Sequence, residues 1–225
     1  MSQYLSQVPP LEHGDHLTRH EFERRSQVKS GGQKAELIAG VVYIRSSGRF
    51  RGHGEPHAAI AVWLGTYCAA TPGVCGTDRA AVRLDLDNEV QPTALLRLEP
   101  TVGGRSRIGK ADYIEGAPDL IMEITSSNAS YDLHDKLQVY RRNGVQEYVV
   151  WRVYDKQVDW FRLERDEYVP LTPDESGVVH SQVFPGLRLA VQALLAGDLA
   201  AVLAELRKGL ETPEHVAFVE RLRGE

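Results

Sequence analysis

Cysteine is almost absent from this chain: Cys68 and Cys75 are the only two among 225 residues. Two thiols without a companion His/Cys cluster argue against a structural zinc site and against a disulfide scaffold, so both are expected to be reduced packing residues. Also missing is any apolar run long enough to span a bilayer, and MSQYLSQVPPLEHGDH lacks the charged start and apolar core of a secretory signal. The expected location is therefore the cytoplasm. Positive charge is in deficit too. The formal net charge is −5, so any nucleic-acid contact has to come from local clusters of Arg and Lys. There is no internal repeat or low-complexity tract. What is present, 42% apolar and 25% charged residues, suits a globular chain long enough for one large core.

The most informative stretch is Ala117 to Tyr140, APDLIMEITSSNASYDLHDKLQVY. Leu120 to Ile124 is an apolar run of strand length with Glu123 inside it. A carboxylate there is costly unless a cation or several donors meet it. After a turn at Ser126–Ser127–Asn128, Leu133, Leu137 and Tyr140 recur at helical spacing, Asp132 and Lys136 lie one turn apart, and Asn143–Gly144 supplies a stop. In an extended strand Asp119, Glu123 and Thr125 share a face. On residues alone, Glu123 and Lys136 make either an ordinary salt bridge or a reactive centre.

Taken together, GAPDLIMEITSS, the Asp132-x-x-x-Lys136-x-x-x-Tyr140 spacing and GVQEYVVW resemble the Uma-type family of restriction endonuclease-like proteins within the PD-(D/E)XK nuclease superfamily. The resemblance runs with interruptions from about Glu36 to the C-terminus. It implies an α/β fold: a restriction endonuclease-like core with a mixed central sheet, flanking helices and a helical C-terminal tail. The implied activity is metal-dependent hydrolysis of nucleic acid, DNA foremost. Glu123 and Asp119 would hold Mg²⁺ or Mn²⁺, and Lys136, from the helix rather than the strand, would assist the attacking water. Glu36 stands where the family tends to carry a Glu; it either joins the site or pairs with a basic neighbour. His57 matches a His that could contact substrate. One departure is chemical. Where the family usually has Gln-Pro-Asp, this chain has Gln91–Pro92–Thr93, and a neutral hydroxyl is a poor ligand for a hard cation. The alternative reading is therefore a nucleic-acid-binding or interaction module that keeps the fold without turnover. A third is a structural protein with a buried Glu123–Lys136 pair.

The expected organisation is an N-terminal arm over 1–33, a core domain over 34–190 and a helical extension over 191–225 packed on that domain or on a second copy of the chain. His13, His16 and His20 in the arm read as solvated, and 17–28 as a short surface helix. Glu36–Ile38 and Val41–Ile44 flank Ala39–Gly40 as a hairpin. Arg49 and Arg51, with Arg45, sit in a basic loop ending at His57, and Arg105 and Arg107 in another, TVGGRSRIGK, which is not a P-loop. Both loops are either a positive rim for phosphates or plain polar connections. Pro56 opens a helix whose Ile60, Trp63, Leu64 and Tyr67 face the core. Residues 71–77 read as a connection, 81–86 and 89–98 as two strands, 147–153 and 158–163 as a hairpin with Trp151 and Trp160 in the core, and 168–171 as an edge strand. From Leu187 the chain reads as helical, with Gly209 ending one helix and Thr212–Pro213 opening the last.

Overall fold

The computed structural model describes residues 8–28, 34–45, 49–126 and 131–224. The Ser127–Asn128 part of the expected turn, and the side chain of Arg45, lie outside the described residues. The hairpin is present as β1 (Lys34–Ile38) and β2 (Val41–Arg45), with Glu36 opposite Tyr43. Ala39 and Gly40 both take positive φ, 50° and 76°, which gives the tight turn the twist of its strands. Helix α1 (Arg19–Val28) lays Phe22 onto Leu37 and Val42 beneath this hairpin. His13, His16 and His20 are exposed, as expected of solvated residues.

The fold is α/β with mixed sheets and flanking helices, as expected, and among the described residues its longer sheets are two of six strands each. The first runs β2-β1-β5-β4-β8-β7, with β4 (Val82–Arg83), β5 (Glu89–Val90), β7 (Arg107–Ile108) and β8 (Ile114–Glu115) all two-residue strands. The second runs β12-β11-β10-β9-β6-β3. It contains β3 (Val74–Asp78), β6 (Ala94–Leu98), β9 (Leu120–Thr125), β10 (Glu147–Arg152), β11 (Gln157–Glu164) and β12 (Glu167–Pro170). Strands β9 and β10 pair in parallel, with Glu123 opposite Val150.

Alternation along β9 divides the interior. Leu120, Met122 and Ile124 face one cluster that includes Trp151, Trp160 and the apolar stripe of α2 (Glu55–Ala70): Ile60, Trp63, Leu64 and Tyr67. Ile121 faces a second cluster with Val139, Tyr140, Tyr148 and the first sheet's Val82, Val90 and Ile114. Residues 71–77, read as a connection, contribute β3 instead. Gly76 permits that strand, since a Cβ there would stand 2.7 Å from Cys68 Sγ on α2.

The stretch 89–98 is not one strand. It is β5 and β6, in different sheets, separated by Gln91–Pro92–Thr93. Pro92 has no N–H to give to a ladder, and the N–H groups of Gln91 and Thr93 go to the side chains of Glu36 and Glu123.

The C-terminal part is also not helical throughout. β13 (Val178–His180) and β14 (Arg188–Ala190) pair before α4 (Val191–Leu195), α5 (Leu199–Leu210) and α6 (Pro213–Arg223). Val202 and Leu206 of α5 and Phe218 and Leu222 of α6 belong to the cluster that covers α2. Thr212 caps α6, accepting from His215 N–H at 3.4 Å, with Pro213 in the first turn. Gly209 lies inside α5 rather than ending it. A Cβ there would stand 2.1 Å from Gly186 O, so the position is set by close backbone approach. Among the described residues no helix is long and apolar enough to cross a membrane.

Candidate functional site

Glu123 lies on the face of β9 that looks toward the helix that follows it. That helix begins with a π-helical turn at Asp132–Lys136 and continues as α3 (Leu137–Arg142), closed at Asn143 with Gly144 at φ 77°. The wider turn brings both Asp132 and Lys136 inward, and both are buried. It is pinned from the sheet by Tyr148 Oη, which donates to Asp132 O at 2.9 Å, and from the hairpin by Tyr43 Oη, which donates to Asp135 at 3.3 Å.

Three carboxylates converge on the Lys136 ammonium. Nζ donates to Glu123 Oε1 at 2.6 Å and to Glu36 Oε1 at 2.9 Å, and Asp132 Oδ1 stands 3.8 Å away. Glu36, Glu123 and Lys136 are all fully buried. Glu36 Oε1 also accepts from Gln91 N at 2.8 Å. Glu123 Oε1 takes a second bond from Tyr140 Oη at 3.2 Å, while its Oε2 accepts from Thr93 N at 3.2 Å and Thr93 Oγ1 at 3.1 Å. Thr93 Oγ1 in turn accepts from Ile124 N at 3.1 Å. The Tyr131 ring lies 5.5 Å from Nζ. Burial, then the nearby carboxylates, hold the Tyr131 and Tyr140 hydroxyls far above the ordinary phenol range, so both stay protonated.

Asp119 is not brought into this cluster. It stands four residues back along the strand direction, about 13 Å at strand rise. Its Oδ2 accepts from Leu98 N at 2.8 Å and its Oδ1 lies 3.6 Å from Arg105. Burial raises its pKa, against the Leu98 N–H and the Arg105 charge. Asp119 and Glu123 therefore do not face one common ion.

Nor do the two basic loops form one rim. Arg105 stands by Asp119 before β9, and Arg107 pairs with Glu115 at 3.0 Å. Arg49 precedes and Arg51 lies within the π-helical turn Phe50–Gly54, whose Gly52 packs on Ser126 just past the end of β9. Seven residue steps from Asp119 to Ser126, about 23 Å at strand rise, separate the two ends. Arg49, Arg51, Arg105 and Arg107 are all exposed. His57, near the start of α2, lies with its Nε2 3.5 Å from Asp78 and its ring 5.9 Å from that of His53. Asp78 pairs with Ala94, next to Thr93, so His57 belongs to the same end of the sheet as Glu123.

Sequence reasoning missed Asp132 and Tyr140 as members of the cluster, although their spacing to Lys136 was visible. It also missed the role of Thr93 as a double donor. A motif shows which residues are near, but not which way a hydroxyl points.

Residues 19–192 match the model of the Uma2 family, described as "Putative restriction endonuclease". The chain belongs to this family. Among solved structures, a "putative nuclease belonging to DUF820 from Anabaena variabilis ATCC 29413" is similar, with a TM-score of 0.62 and 14% identity. The match covers 80% of this chain and 98% of that one, and it establishes a shared fold. No curated protein matches the chain.

Restriction endonuclease-like families use divalent cations, and a hard cation needs oxygen atoms with lone pairs to give. Both Glu123 oxygens are already engaged by two donors each, and a carboxylate offers about four such places in all. Thr93 Oγ1 accepts one hydrogen bond and donates another. The space between Glu36 and Glu123 is filled by an ammonium. Among the described residues no group of three or more His, Cys, Asp or Glu is arranged to hold a metal ion. As arranged, this donor set fits the lysine and does not fit a divalent cation.

Proposed function

We propose that this Uma2-family chain is an endonuclease-type protein that acts on nucleic acid at the carboxyl ends of β9 and β10, with Glu36, Glu123 and Lys136 as its hydrolytic centre. We further infer that Thr93 holds that centre in a low-turnover form. The observation that carries this reading is the double hydrogen bond from Thr93 to Glu123 Oε2. An aspartate at position 93 would put a second carboxylate against Glu123, and two like charges in a buried site call for a cation between them. Threonine removes that demand. Its hydroxyl and N–H complete the shell of Glu123, and Glu36 and Glu123 then share the ammonium.

Two residue roles follow. Lys136, once released from one of its carboxylates, would orient the attacking water and offset negative charge building on the phosphate oxygens. Glu36 would hold Nζ in line, since its Oε1 is itself anchored on Gln91 N–H. Asp132 limits how far the ammonium can withdraw.

The test is Thr93→Asp, with Mn²⁺ titration calorimetry and nicking of supercoiled plasmid. Wild type is expected to give no saturable Mn²⁺ binding and only background nicking. Thr93→Asp is expected to gain both, and Thr93→Asp/Glu123→Ala to lose them again. Wild-type nicking as fast as that of Thr93→Asp, and abolished by Lys136→Ala, would show a centre active as built and overturn the low-turnover reading. No nicking above background by either wild type or Thr93→Asp would overturn the hydrolytic assignment.

A further inference from the structure

Beyond the carboxyl ends of the parallel pair β9–β10, the place where open α/β sheets usually take ligands, two large aromatic rings stand in solvent. Phe50 is 73% exposed and Tyr154 is 63% exposed. They come from distant parts of the chain, Phe50 from the turn that leads into α2 and Tyr154 from the turn between β10 and β11. Gly52 joins them. A Cβ on Gly52 would stand 2.8 Å from Tyr154 Oη and 3.2 Å from Ser126 Cβ, so the tyrosine tip is seated on bare backbone while its ring stays open. Val153 N–H donates to Thr125 O at 3.0 Å, which fixes the base of the same turn at the end of β9. Arg49 and Arg51, both exposed, bracket Phe50. The acid in this turn, Asp155, is paired with Arg152 at 2.9 Å.

Exposed aromatic faces held on rigid backbone, beside guanidinium groups, are the means by which proteins bind unpaired nucleotides. Bases stack on the rings while the arginines meet phosphates. A duplex hides its base faces and offers such rings nothing to stack on. We propose that Phe50, Tyr154, Arg49 and Arg51 form a platform for single-stranded nucleic acid, about 10 Å along the strand direction from Glu123. This rests on the reading that nucleic acid is the substrate and narrows it to unpaired strands. It also gives the acidic chain a local attraction, since these two arginines stand apart from Arg105 and Arg107 at the other end of the strand.

The experiment is fluorescence anisotropy with the full chain, a labelled oligothymidylate of about 15 nucleotides and a duplex of equal length, in the presence of a chelator. Single strand is expected to bind about tenfold more tightly than duplex. Phe50→Ala and Tyr154→Ala should each weaken single-strand binding by about tenfold and leave weak duplex binding unchanged. Arg49→Ala and Arg51→Ala should each reduce the slope of log affinity against log salt by about 0.7. All four residues are exposed, so melting temperatures should match wild type. Equal affinity for duplex, no binding to either strand form, or wild-type affinity in both aromatic variants would overturn the platform. No metal or turnover enters the measurement. A failure of the hydrolytic assignment with Thr93→Asp therefore leaves this result standing, and the reverse also holds.

Discussion

Two glutamates sit fully buried on adjacent parallel strands, Glu123 on β9 and Glu147 on β10, and they are met in opposite ways. Glu147 is enclosed by neutral donors. Ser181 Oγ at 2.8 Å and Trp160 Nε1 at 3.2 Å reach one oxygen, and the N–H groups of Gln182 at 2.6 Å and Val183 at 3.2 Å reach the other. Glu123 is met by an ammonium that it shares with another carboxylate. The first arrangement clips the segment between β13 and β14 to the sheet and has nothing to exchange. The second shares one ammonium between acids, so a change at any one of its members changes the partners of the others. Burial of a carboxylate alone does not identify a reactive centre; the kind of donor that answers it does.

The largest effect should come from Lys136→Ala. Removing one member of a buried ionic cluster costs about 3–5 kcal/mol, read as a fall in unfolding free energy by denaturant titration. A loss below about 1 kcal/mol would mean that water reaches the cluster, and the contrast with Glu147 would vanish. Glu147→Gln should cost less, about 2 kcal/mol, because the amide keeps an acceptor for two donors and misfits the rest.

That variant also sharpens the comparison through pH. Burial raises the Glu147 pKa above the ordinary glutamate value of 4.5, in spite of its four donors. For a carboxyl raised in the fold, the stabilising contribution is full below the unfolded value and is lost as pH rises through the folded value. The margin of wild type over Glu147→Gln should therefore narrow as pH rises above the ordinary glutamate value. A margin that widens would reverse the assignment. The smallest effect is expected from Thr93→Val, about 1 kcal/mol, since the N–H bond to Glu123 survives and only the hydroxyl is lost.

Much of this was legible in the chain itself. The Ala39–Gly40 hairpin, the apolar stripe of α2, the strand around Glu123, the helix bearing Lys136 and the β10–β11 hairpin all announce themselves by period and turn residues. So does the need of Glu123 for a cation. The rest was hidden for physical reasons. The break between β5 and β6 depends on two amides being claimed by side chains 55 and 30 residues away, which no local pattern records. β3 follows a Pro–Gly turn and contains a glycine, both marks of a loop. β14 is three residues long and runs straight into α4, so its apolar residues read as helix. Asp119 has the right parity to join Glu123, but parity fixes the side of a strand and not the distance along it.

The three-residue link Gln91–Pro92–Thr93 belongs to neither sheet, yet each sheet sends one carboxylate to grip it, Glu36 from the first and Glu123 from the second. The ammonium of Lys136 closes that grip into a ring. A fluctuation that parts the sheets must break the ring. Amide protons at positions 91 and 93 should thus exchange with deuterium only through that shared opening, and the two halves of the molecule should breathe as one body rather than as two.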